Sequence, residues 1–97
     1  MSKLFWVYIL ANKQRSIMNI GYCTDLAQLV ASHQQLTGAS FYASHQTIFL
    51  VYAEPHDDEE MAALRAKKIK KWPRSWRIAL IEKENPGWLD LSLNLSG

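Results

Sequence analysis

Two short runs of aromatic and aliphatic residues, Leu4–Leu10 and Ile17–Cys23, are separated only by the stretch Ala11–Ser16. Runs of this composition form strands. The polar, turn-like connection is too short for the crossover that parallel strands need. The first part of the chain is therefore predicted to be an antiparallel hairpin. Gly21, inside the second run, predicts a bulge or a close backbone approach.

The remaining elements follow from capping and periodicity. Thr24 or Asp25 offers an N-cap for a helix through about Leu36. Its buried face is marked by Leu26, Leu29, Val30, His33 and Leu36 at helical spacing. Thr37–Ser40 ends it, with Gly38 as the C-cap. Thr47–Ala53 is β-branched and aromatic and reads as a central strand closed by Pro55. His56–Lys71 reads as a second helix, acidic at its start and basic at its end, as the helix dipole favours. Pro73 opens a third helix to about Glu84, which Asn85-Pro86-Gly87 stops. Trp88 and Leu91 are placed to pack the tail back. The order β-β-α-β-α-α predicts an α+β fold, with three helices flanking a small three-stranded antiparallel or mixed sheet. A chain of 97 residues is too short for two cores, so one domain over residues 1–97 is expected.

Apolar residues at 48% and charged residues at 21% exclude a disordered tail, a collagen-like chain and a coiled coil. The single cysteine, Cys23, excludes an intramolecular disulfide and a Cys-only zinc site, and reads as a packed thiol. His45 and His56 stand isolated, without zinc-ligand spacing. No membrane span or signal peptide is recognised, and a cytoplasmic location is expected.

The net charge is only +2, but it is unevenly placed: eight of the eleven basic residues lie between Arg65 and Lys83, just after the acidic run Asp57–Glu60. Residues 26–53 carry no Asp, Glu, Lys or Arg, which suits an interaction surface or a homodimer contact. Lys67, Lys68, Lys70, Lys71, Arg74 and Arg77 interleave with Trp72 and Trp76. Such a segment can hold phosphates and stack bases. The alternative is that the tryptophans cover the sheet and the lysines are simply solvated.

The ordered set of short motifs carries a resemblance. Val7-Tyr8-Ile9 lies in the first strand, Asn19-Ile20-Gly21 in the second, and Thr24-Asp25-Leu26 opens the helix that His33 closes. Gly38-Ala39 and Phe41 precede the third strand, Leu50-Val51-Tyr52. Arg65, Lys67, Ile69-Lys70 and Trp72 follow, then Ile78–Glu82 and Asn85-Pro86 with Trp88. From about Phe5 to Leu91 the chain resembles a GIY-YIG nuclease domain of the small stand-alone bacterial type. The resemblance implies a divalent cation, Mg²⁺ or Mn²⁺, held by a helix glutamate. It also implies a tyrosine in proton transfer and an arginine on the scissile phosphate, the tasks of metal-assisted phosphodiester hydrolysis.

Mapped onto this chain, Tyr8 and His33 stand at retained catalytic positions, but the residues themselves favour a packed or half-buried aromatic at Tyr8 and a helix-capping or structural histidine at His33 over a catalytic tyrosine and a general base. The second tyrosine falls at Asn19, the arginine at Leu29 and the metal glutamate at Ala66. The basic pair of the loop falls at Ala43-Ser44. Asn19 cannot titrate as a phenol, and a methyl group cannot ligate Mg²⁺. The expectation is a catalytically degenerate, nuclease-like binding module with no metal and no cofactor, and not an enzyme. Its partner would be nucleic acid, DNA or RNA, through the basic segment, or a protein through an old cleft lined by Leu29 and Ala66. The alternative is an active metal-dependent endonuclease with an unusual site. It requires Glu54, Glu59 or Glu60 near Tyr8.

Overall fold

A computed structural model describes residues 3–12, 15–35 and 49–94. The elements are β1 (Phe5–Ala11), β2 (Met18–Cys23), α1 (Leu26–Gln35), β3 (Phe49–His56), α2 (Glu59–Lys71) and α3 (Arg74–Glu84), followed by a 3-10 turn at Leu91–Asn94. The expected order β-β-α-β-α-α is observed. The Gly38 cap, Gly38-Ala39, Phe41, Ala43-Ser44 and His45 lie outside the described residues, as does Leu36.

The strands form one antiparallel sheet in the order β2-β1-β3. The hairpin turn is organised by Asn12, which is buried. Its Oδ1 accepts the N–H groups of Ser16 and Ile17, each at 2.9 Å, and its Nδ2 donates to Ser16 Oγ at 3.0 Å. The buried Asn12 side chain thus has its polar atoms satisfied within the turn, and it fixes the path of the exposed residues Ser16 and Ile17.

β1, not β3, is the central strand, a correction to the sequence expectation. β3 is an edge strand, and it continues through Pro55, which pairs with Trp6, as far as His56. Proline lacks an N–H, and an edge strand tolerates it because one of its sides needs no ladder partner. α2 accordingly starts at Glu59 rather than His56. Asp58 caps it by accepting the Met61 N–H at 3.0 Å, and Asp25 caps α1 by accepting the Gln28 N–H at 3.1 Å.

Alternation along β1 sorts the core into two clusters. Val7, Ile9 and Ala11 pack with Ala62, Ala66 and Ile69 of α2 and Ile81 of α3. Leu10, with Trp6 and Tyr8 beside it, packs with Leu26 and Val30 of α1 and Leu50 of β3. A bulge explains why neighbours Val51 and Tyr52 both join the α2 side: Ile9 pairs with Tyr52 and Leu10 with Leu50, leaving Val51 extra. Full burial of Val7, Ile9, Leu10, Leu50, Ile69 and Ile81 contributes roughly 1.5–3 kcal/mol per side chain. The tail closes over both clusters, Trp88 on the α2 side and Leu91 on the α1 side. It is tied by buried Asn85, whose Nδ2 donates to the carbonyls of Val51 at 3.1 Å and Leu89 at 2.9 Å.

Candidate functional site

Three of the sequence-predicted positions share the α1 face of the sheet. Tyr8 pairs across the ladder with Gly21, and Asn19 with Leu10. Tyr8 is half-buried and Asn19 is exposed. Leu29 is half-buried against the cluster of Leu10, Leu26, Val30 and Leu50. The Tyr8 ring lies directly over Gly21: a Cβ there would stand 2.6 Å from the Tyr8 Oη and 2.9 Å from its Cζ. The close backbone approach anticipated at Gly21 is thus the seat of a tyrosine. Burial, and then the neighbouring Cys23, push the Tyr8 phenol above its ordinary pKa. Burial likewise raises the Cys23 thiol, in spite of a backbone hydrogen bond from Asp25. Cys23 packs, partly buried, against the Leu10 cluster, as its sequence reading expected. His33 lies on α1.

The Tyr8–Gly21 contact makes a direct prediction. Gly21→Ala is expected to destabilise the protein by about 1–2 kcal/mol, because crowding outweighs the gain from removing a strand glycine. Denaturant melts of Gly21→Ala, Tyr8→Leu and the double variant check it. In the double variant the penalty at residue 21 should vanish.

Ala66 lies elsewhere. It is buried on the α2 side among Val7, Ile9 and Ile20. A single cleft lined by both Leu29 and Ala66 is therefore corrected: the sheet stands between them, because α1 and α2 cover opposite faces. The candidate rescuing carboxylates also miss Tyr8. Glu54 pairs with Val7 and faces α2, Glu59 accepts from the Tyr22 hydroxyl at 3.4 Å, and Glu60 is exposed on α2. Among the described residues no group of three His, Cys, Asp or Glu gathers to hold a metal ion.

The α2 face holds a polar cluster that sequence reasoning missed. Tyr52, Glu54 and His56 alternate along β3 and meet Arg65 of α2. Glu54 Oε1 accepts from the Tyr52 hydroxyl at 2.6 Å and Oε2 from His56 Nε2 at 2.6 Å. Arg65 Nε donates to Oε2 at 3.0 Å and Nη2 to Oε1 at 3.2 Å, so it grips the carboxylate with both arms. The Arg65 guanidinium also lies 5.1 Å from the centre of the Trp72 ring. Burial opposes ionisation of Glu54. The hydrogen bonds from Tyr52, Arg65 and His56, with the Arg65 charge, outweigh it and hold the carboxyl below its ordinary pKa. Burial and the Glu54 carboxylate together push the Tyr52 phenol up to about 12. Both oxygens of the Glu54 carboxylate are taken by internal partners, and the cluster ties α2 to β3.

The basic segment divides. Lys67, Lys68, Lys70 and Lys71 are exposed on α2. Trp72 ends that helix in an extended conformation, so α2 and α3 are separate helices. Arg74 is diverted from the expected basic face: it donates to the carbonyl oxygens of Ser16 at 3.2 Å and of Arg15, fastening α3 to the hairpin turn. Arg77 is half-buried with its Nε enclosed. Trp76 is 58% exposed and rests edge-on against Trp72, with ring centres 5.8 Å apart.

Together these features define a small α+β protein with a hairpin-centred sheet, an occupied tyrosine seat and a lysine-rich helix end. The chain is 30% identical over 78 residues to the UPF0213 protein SH2523 of Staphylococcus haemolyticus (strain JCSC1435), an alignment covering 80% of this chain and 94% of that protein. The chain belongs to the UPF0213 family. No family model matches it, and no solved structure does. Among the described residues no helix is long and apolar enough to cross a membrane.

Proposed function

We propose that this protein is a catalytically degenerate relative of the GIY-YIG nucleases that binds nucleic acid without cutting it. The observation that carries the reading is the end of α2, where four solvent-facing lysines adjoin Trp72, and Trp76 lies exposed against it. Lysines of this density neutralise phosphates, and an exposed indole braced by a neighbour offers a base a stacking platform. The degenerate part of the reading rests on Ala66, an apolar core residue at the position of the metal glutamate, and on Leu29, packed at that of the arginine.

Fluorescence anisotropy of labelled single- and double-stranded oligonucleotides tests the binding surface. Neutralising about four phosphates predicts a log–log dependence of affinity on salt with a slope of roughly −3 to −4 on duplex. Changing Lys67, Lys68, Lys70 and Lys71 together to alanine should remove most of that slope. Trp76→Ala should weaken single-strand binding by about 10- to 100-fold. Binding that is absent at low salt, or indifferent to all four lysines, would refute the assignment.

A further inference from the structure

The outer face of α2 has a symmetry of its own. Leu64 lies at its middle, 56% exposed, with Met61 beside it at 57%. Residues three and four positions away share the Leu64 face. Toward the N-terminus these are Met61 and Glu60; toward the C-terminus they are Lys67 and Lys68. All are exposed. The acidic half of the face therefore mirrors the basic half about Leu64, at ~6 Å on either side for Glu60 and Lys68.

We propose that this face is the contact between two copies of the chain, paired as antiparallel α2 helices about a two-fold axis at Leu64. In that arrangement the i±4 row through Leu64 lies along the same row of the other copy, its acidic end against the basic end. Leu64 packs on Leu64, and helices crossed at about 50° along the 60–64–68 row bring Glu60 against Lys68 twice by symmetry. The charge pattern is complementary to itself when reversed, so a second copy supplies the partner charges for both ends of the row. A contact limited to one face of a short helix is small, so the dimer is weak and reversible.

The inference goes beyond the nucleic-acid reading and does not rest on it. The two are linked, since pairing engages Lys68, one of the four exposed lysines. Nucleic acid and self-association should each weaken the other.

Sedimentation equilibrium of the full chain without nucleic acid tests the pairing. At low salt the dissociation constant should be on the order of 100 µM and rise with added salt. Glu60→Lys sets lysine against lysine, and Lys68→Glu sets glutamate against glutamate. Each should raise the constant at least ~10-fold while the far-UV circular dichroism stays unchanged. An equimolar mixture of these two variants restores both contacts across the axis, as does the double variant. Both should return to within roughly threefold of the parent. A chain that stays monomeric up to ~1 mM, single variants that associate normally, or a mixture that fails to recover would each overturn the proposal. None of these outcomes depends on whether the lysines bind nucleic acid.

Discussion

Ala66→Glu should lower the stability of this protein by about 4 kcal/mol or more, read as a fall in melting temperature of roughly 20 °C. Ala66 is 4% exposed and packs under α2 against Val7, Ile9 and Ile20. A carboxylate placed there loses its hydration and meets apolar side chains, and its extra atoms overfill a packed layer. The positions of Tyr8 and Leu29 cannot relieve it, since they sit on the other face of the sheet. Differential scanning calorimetry of Ala66→Glu, with and without Mg²⁺, gives the answer. An unchanged or higher melting temperature, or a metal-dependent rescue, would mean that residue 66 faces a polar opening and that the site is less altered than its packing indicates.

Glu54→Gln should cost about 2–3 kcal/mol at neutral pH. The pair it breaks is largely shielded, with side chains 19% exposed for Glu54 and 29% for Arg65. The loss leaves Arg65 facing no counter-charge. Replacing both partners with methionine should cost less than the sum of the single changes, because neither charge is then left alone. The effect has a definite pH sign. The folded state holds the Glu54 carboxyl below its ordinary pKa, so its contribution is complete above the unfolded value and disappears as pH falls through the folded one. The gap between the parent and Glu54→Gln should therefore close in acid, which urea melts at a series of pH values would detect. A gap that is negligible at pH 7, or that widens in acid, would show that the cluster does not clamp α2 to β3.

How far the amino-acid pattern reached depended on whether the governing interactions are local. The hairpin, a cap at Asp25 (one of the two residues offered), the basic end of α2 and the stop at Asn85 are set by neighbouring residues, and each formed where the pattern placed it. The reading of Pro55 as a strand terminator failed because the exclusion of proline applies to central strands, and β3 lies at the edge. That one error concealed the polar cluster: once β3 is carried to His56, residues 52, 54 and 56 share a face by simple alternation. The Arg65 partner on α2 still required the fold. The same holds for Arg74, which reads as one more phosphate ligand until α3 is seen to dock on the hairpin turn. Leu29 and Ala66 read as one converted cleft for a similar reason: which face each helix covers is a property of the assembled sheet.

The proposed loss of cleavage and the proposed nucleic-acid binding meet in one measurement. End-labelled DNA and RNA strands are incubated with the protein and Mg²⁺ or Mn²⁺. Anisotropy is read first, and the same samples are then run on a denaturing gel. The account predicts salt-sensitive binding with strands of full length throughout. Strands shortened in a metal-dependent way would contradict it and return the protein to the nucleases. A flat anisotropy trace at low salt would contradict the binding role itself.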